Sequence, residues 1–320
     1  MQKAIMRGFT ILLKTIFSNF FLFSLLKYMI IMKFLKGYLS KTIKVLFVII
    51  FLAIVVLILS IPINYGVKKE KLSLLIEYKS IKKPSDIQKI NGKTVKPVIY
   101  EDISKFNDFP EISRKDRYIE TLLPAILVVK FNLLNEKART ERLWAKMRAK
   151  DRLTPDDSAF INSLYLKYRT ESLIEITQKQ HLHPISIVLA QSILETGWGN
   201  SRFFLKGNNA FGIWSYNKLD KRMPASASRD GLVIYLKKYD NIAQSVEDYF
   251  LTLANSWAFD EFREKRNKSD NPYELIWYLN KYSELRNDYV KKVGEIIVQN
   301  NLTRYDSCEL DKHNFIKVKL

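Results

Sequence analysis

One carboxylate in this chain stands where an acid can keep its proton near neutral pH. Glu195 closes the apolar run 184–194, which contains no other acid, and is followed by Thr196-Gly197-Trp198-Gly199-Asn200. Pro184 suits a first helical turn and Gly197 a helix stop, so the run reads as a helix with Glu195 at its end. A glutamate half-sheltered by aliphatic and indole surface has its pKa raised, because burial penalises the charged form. That is the condition for a general acid that protonates a glycosidic oxygen. Most glutamates at helix ends are solvated, so the neighbouring residues must carry the argument.

They do so in the next stretch. Lys206-Gly207-Asn208-Asn209-Ala210-Phe211-Gly212-Ile213-Trp214 places two adjacent amides, two glycines and two aromatics in a short non-helical segment. Asparagine amides bond sugar hydroxyls and acetamido groups in both directions, and an indole stacks on a pyranose face. Asn208, Asn209, Phe211, Trp214 and Trp198 are therefore candidate groove residues. A turn followed by a short core strand is the plainer reading.

Taken together, Glu195-Thr196-Gly197-Trp198-Gly199 and Gly207-Asn208-Asn209-Ala210-Phe211-Gly212-Ile213-Trp214 resemble the glucosaminidase family of peptidoglycan hydrolases, and within it the Bax-like branch. The family's usual wording is Glu-Ser-Gly-Trp-Gly, so Thr196 is a mild departure. The resemblance covers roughly residues 113–303. It implies an endo-β-N-acetylglucosaminidase with Glu195 as general acid, no metal and no cofactor. Leu279-Asn280-Lys281-Tyr282-Ser283 with Asn287-Asp288-Tyr289 is similar to the family's late motif. Tyr282 is thus a candidate to orient an acetamido group or support an oxocarbenium-like centre, and Tyr289 joins the groove residues. For both tyrosines, packing within a helix pair is the alternative. Many family members carry a second glutamate in the strand lobe. Here residues 219–239 offer only Asp220 and Asp230, with Asp240, Glu247 and Asp248 just beyond. Substrate-assisted cleavage by the acetamido carbonyl needs only one carboxylic acid. Muramidase or lytic transglycosylase action on the same fold is the nearest alternative, and a non-catalytic wall-binding scaffold is the alternative from another class.

The elements that must hold these residues are mostly helical. Arg114 to about Lys150 has a helical pattern, with a Leu122-Leu123-Pro124 step that also looks Bax-like; Pro124 should kink it or start a new helix. Thr154-Pro155-Asp156-Asp157 is a helix start with a hydroxyl cap, and that helix is expected to reach about Gln180. Residues 232–239 have strand composition, 241–255 are amphipathic, and 287–298 form a last helix. The expected architecture is α+β: a mostly helical, lysozyme-like domain at 113–303 with a small β lobe. Residues 65–112, Lys-, Pro- and Asp-rich with scattered apolar clusters, read as a stalk or linker or a small irregular layer, and 304–320 as a C-terminal tail.

Ahead of this lies an apolar end. The chain has 320 residues and a net charge of +19. Residues 1–66 hold no acid and eight of those positive charges, leaving +11 on the remainder. Residues 45–64 are uncharged and long enough to cross a bilayer as an uncleaved anchor. Residues 1–44 are basic and partly apolar. Their stretch 9–32 is a poorer second span, an interfacial helix, or lies before a native start at Met32. A wall substrate would orient the catalytic part toward the periplasm from the inner membrane. A basic domain suits a polyanionic envelope, and nucleic acid is excluded as partner by the anchor and the lack of any recognised motif. Protein partners are not legible. Cys308 stands alone, so neither an intrachain disulfide nor a thiolate metal site can form. His181 and His183 read as loop or cap residues, because a single further histidine, His313, makes zinc ligation improbable.

Overall fold

The computed structural model describes Ile50 and residues 70–108, 113–229 and 232–319. The chain divides into two units, residues 1–68 and 69–320. The anchor expected at 45–64 and the segment 9–32 lie outside the described residues, and the architecture below is that of the second unit.

Four short strands come first: β1 (Glu70–Leu74), β2 (Glu77–Ser80), β3 (Thr94–Val95) and β4 (Val98–Asp102). Five helices follow: α1 (Arg114–Arg148), α2 (Pro155–Tyr168), α3 (Leu173–Lys179), α4 (Ile185–Thr196) and α5 (Arg202–Gly207). The hairpin β5 (Arg222–Arg229) and β6 (Leu232–Lys237) leads to α6 (Ile242–Asn255), α7 (Asp260–Arg266), α8 (Pro272–Leu275) and α9 (Asn287–Gln299). β7 (Glu309–Leu310) and β8 (Phe315–Lys319) close the chain. The described part is mostly helical with small strands, an α+β arrangement. Each sheet has two strands: β1 with β8 and β5 with β6 antiparallel, β2 with β4 and β3 with β7 parallel.

Two sequence expectations about the ends are corrected. Residues 70–108 are not a free stalk: Val98, Ile99, Tyr100, Ile103 and Phe106 are buried in the main core. Nor is 304–320 a tail. β7 and β8 pair with the strands before α1, and Asp306 accepts from Ser186 N at 2.7 Å and Ser186 Oγ at 2.8 Å. Pro184, the residue before α4, offers no side-chain cap. Asp306 supplies a remote one, an anion at the positive end of the helix.

α1 is one continuous helix of 35 residues with Pro124 inside it, so the new start expected there does not occur. Its N-terminal half is buried in the main core and contains an apolar window long enough to cross a membrane; 72% of that window is buried, which marks a core helix. Its C-terminal half packs Leu143 into a second cluster with Ile161, Leu164, Tyr168, Leu173, Ile176 and Ala254. The cap at Thr154 forms as expected, with Asp157 completing the capping box, but α2 stops at Tyr168 because Arg169 turns left-handed at φ 54°. α3 is therefore a separate helix.

Every residue of α4 from Ile185 to Ile193 is buried. This all-round burial is what an apolar helix without a polar stripe requires. Gly197 ends it in the left-handed region (φ 56°), its N–H bonded to Ile193 O. The central helix thus delivers Glu195 in its last turn, at the margin of the core.

Candidate active site

Glu195 opens onto a groove of about 1130 Å³. Its other walls are the 211–217 segment, the end of β6, one face of α6, the end of α2, and residues 281–286. Burial pushes the Glu195 carboxyl up to about 7, against a hydrogen bond from Tyr289 that lowers it. The carboxyl group is thus largely protonated just below neutral pH while facing a cavity, as expected of a general acid.

The two sequence blocks meet at this carboxyl group. Gly212 has φ +64°, and a Cβ there would stand 3.4 Å from Glu195 Oε2. A glycine lets the loop backbone approach the acid in a conformation that side-chain-bearing residues rarely adopt. Phe211 is buried and stacks on Tyr249 at 4.2 Å, with only an edge on the groove. Trp214 is 39% exposed on the groove wall, joined to β6 by a bridge to Leu236. The strand expected around 211–215 is reduced to that bridge, flanked by Lys237 N donating to Ile213 O and Ser215 N to Tyr235 O.

Three other expected groove residues face elsewhere. Asn208 Nδ2 donates to Glu101 O at 2.8 Å and Tyr239 O at 3.1 Å. Asn209 Nδ2 donates to Ile213 O and Lys237 O, while its Oδ1 accepts from Phe211 N and Ile213 N. Both side chains are buried, so their amides hold the loop instead of facing a ligand. Trp198 packs edge-on against Tyr118 with Lys115 Nζ 5.0 Å from its ring, on the α1 side of the turn, and does not line the groove. At Thr196 the hydroxyl is bonded to Ser192 O and Tyr118 O–H and accepts from Gly199 N. A serine would supply the same hydroxyl, which explains why the departure is mild.

Tyr282 lines the groove, donates to Phe211 O at 3.3 Å and stacks on Tyr289 at 5.5 Å. Tyr289, expected among the groove residues, does not line the groove but is buried beneath Tyr282, its hydroxyl facing Glu195 and accepting from Gln191 Nε2 at 3.0 Å. Burial raises the pKa of both phenols well above the ordinary value, so they remain neutral donors. The late motif therefore reaches the acid through Tyr289.

Sequence reasoning missed four groups. Gln191 and Tyr249 lie in the buried network behind Glu195, together with His183, which is in the loop before α4 as expected but is fully buried there. The available signal was a lone amide in an otherwise apolar run. Trp257 is 78% exposed beside the groove's Ser256 and Lys281, with Lys281 Nζ 5.9 Å from its ring. Of the acids considered as partners, Asp220 and Asp248 line the groove. Asp248 accepts from Lys237 Nζ and Tyr239 O–H at 2.7 Å, and Asp220 from Ser215 Oγ at 2.9 Å. Asp240 and Glu247 are paired with Lys221 and Lys167; Asp230 lies outside the described residues.

The family described as mannosyl-glycoprotein endo-beta-N-acetylglucosaminidase matches residues 170–302, the span that carries Glu195, Gly212, Tyr282 and Tyr289. Those residues form a glucosaminidase-family domain. Exo-glucosaminidase LytG of Bacillus subtilis (strain 168) is 27% identical over 137 residues, covering 40% of this chain and 48% of that protein. The chain thus matches about half the length of this curated relative. Two solved structures are also similar. The catalytic domain of the autolysin Auto from Listeria monocytogenes is 26% identical over 52% of this chain and 97% of that one, with a TM-score of 0.34. A peptidoglycan hydrolase mutant from Sphingomonas sp. A1 is 23% identical over 46% and 96%, with a TM-score of 0.32. The glucosaminidase domain does not stand alone in the fold. Asn208, inside it, is tied to Glu101, and Ser186 to Asp306, both outside the matched span.

Proposed function

We propose that this chain is a membrane-anchored peptidoglycan hydrolase of the Bax-like branch. It cleaves β-1,4 bonds of the glycan strand as an endo-β-N-acetylglucosaminidase. The observation that carries the reading is Glu195, a carboxyl group with its pKa raised to about 7 on the wall of a groove large enough for several sugar rings. In the reaction Glu195 gives its proton to the glycosidic oxygen, and the leaving saccharide departs as positive charge grows at the anomeric carbon. The substrate's acetamido carbonyl then attacks that carbon, and water, deprotonated by the Glu195 carboxylate, opens the ring so formed. Tyr282 borders the acetamido position, and the exposed ring of Trp214 offers a stacking face for a pyranose. The basic end of the chain and the apolar run 45–64 support an anchor in the inner membrane with the groove on the wall side.

Analysis of the first products tests this. Mass spectrometry of a digest of purified peptidoglycan should find reducing N-acetylglucosamine ends, and NMR of the nascent anomer should find retained configuration. Reducing N-acetylmuramic acid or anhydromuramic ends would reassign the bond. Inverted configuration would instead require a second carboxylate activating water, with Asp220, which makes no bond to a cation among the described residues, the choice on the groove. Binding to the wall without release of any fragment would identify a scaffold.

A further inference from the structure

Behind Glu195 runs a buried chain of hydrogen bonds that ends on its carboxyl group. His183 Nε2 lies 2.8 Å from Tyr249 O–H; Tyr249 O–H donates to Gln191 Oε1 at 2.6 Å; Gln191 Nε2 donates to Tyr289 O–H at 3.0 Å; and the Tyr289 hydroxyl faces the Glu195 carboxyl group, whose pKa it lowers as a donor. The four members come from the segment before α4, α6, α4 and α9, and all are essentially inaccessible to solvent. Such a chain has two possible directions. An amide has distinct donor and acceptor ends and each phenol has one proton, so fixing one link fixes all the others.

His183 fixes the first link. Its Nδ1 is buried and has no hydrogen-bond partner among the described residues. A buried N–H without an acceptor is costlier and rarer than a buried lone pair without a donor. The proton therefore sits on Nε2, which donates to Tyr249. Tyr249 must then donate to Gln191 Oε1, Gln191 must present its N–H to Tyr289, and among the described residues Glu195 is the acceptor left for the Tyr289 hydroxyl. In the opposite direction Glu195 would donate its proton inward to Tyr289, away from the groove.

We infer that Gln191, with Tyr249 and His183, is a positioning residue for the glycosidic acid: the chain fixes Tyr289 as a donor, keeps one oxygen of Glu195 as a permanent acceptor, and so confines the transferable proton to the other oxygen. This rests on Glu195 being the general acid. It also explains why a polar amide stands in the middle of an otherwise apolar helix. The donated bond from Tyr289 opposes the effect of burial on Glu195, so losing it should raise the acid's pKa further. The phenols that interact electrostatically with Glu195 are Tyr118 from α1 and Tyr282 and Tyr289 from the C-terminal segment. The charged groups lining the groove are Lys167, Arg169, Asp220, Lys237, Asp248, Lys281, Glu284 and Arg286.

The test uses the full chain in detergent and soluble uncrosslinked glycan strands as substrate, with Tyr249→Phe, Gln191→Leu, Tyr289→Phe and the double variant Gln191→Leu/Tyr289→Phe. Gln191→Leu and Tyr249→Phe should each lower kcat roughly tenfold, about 1.4 kcal/mol in the barrier, with KM within about twofold. Both should move the alkaline limb of the kcat profile to higher pH. The double variant should be no slower than Tyr289→Phe, since Gln191 acts through that hydroxyl. Unchanged kcat and an unmoved limb in Tyr249→Phe, which deletes one oxygen and keeps the ring, would overturn the inference. So would multiplicative losses in the double variant. A Glu195→Gln control separates the two levels: if it remains fully active, the acid assignment itself fails; if it is inactive while the relay variants behave as wild type, only the relay fails.

Discussion

Glu195 sets a conflict between stability and chemistry. Its folded pKa, about 7, lies above the ordinary 4.5 for a glutamate, so the folded state binds the proton more tightly than the unfolded chain. The stability this contributes is fully present below about pH 4.5 and is lost as pH rises through 7. At pH 8 the ionised, half-buried carboxylate costs up to about 3 kcal/mol. Glu195→Gln should therefore unfold at a higher temperature than wild type at pH 8 and at nearly the same temperature at pH 4.5, measured by thermal denaturation. Activity should fall on the alkaline side with a limb near pH 7, because the acid must be protonated. Asn209 makes the opposite kind of contribution. Its four backbone hydrogen bonds are internal, so Asn209→Ala should cost about 2–4 kcal/mol of stability. The KM of the molecules that remain folded should be close to wild type. A large KM rise without destabilisation would restore the sugar contact that the asparagine type suggested.

At the scale of elements, helix α4 holds the acid and borrows its cap from the far end of the chain. Asp306→Ala should remove two bonds at the first turn of α4 and cost about 1–2 kcal/mol. Chemical denaturation would measure it, and an unchanged midpoint would refute the capping role. How much of the site was legible follows from the range of the forces involved. Glu195, the Gly197 stop and the Thr154 cap are set by neighbours a few residues away, and sequence pattern exposes them. Tyr282 was legible from motif likeness alone. The orientation of Asn208 and Asn209 was not, because an asparagine that binds sugar and one that braces a loop have the same local signature; their partners, Glu101, Lys237 and Tyr239, are remote in sequence. The same holds for His183 and Tyr249, which read as a loop residue and an apolar-face residue until folding brings them together at 2.8 Å.

For the whole molecule, the glucosaminidase-like span 170–302 is not autonomous. The segment before α1 was legible only as Lys-, Pro- and Asp-rich sequence with scattered apolar clusters. Yet it buries Tyr100 and Phe106 in the main core and ties Glu101 to the Asn208 loop. A fragment starting at residue 113 should therefore lose cooperative thermal unfolding relative to one starting at residue 69; equal melting curves would contradict this. The proposed hydrolysis depends on one acid, Glu195, placed by α4 and faced by the Gly212 loop. The most direct measurement is the rate of reducing-end release from purified peptidoglycan at pH 6 by wild type and by Glu195→Gln at equal folded concentration. Wild type should release ends steadily, and the variant should lose at least about a hundredfold. Release at the wild-type rate by Glu195→Gln would contradict that dependence.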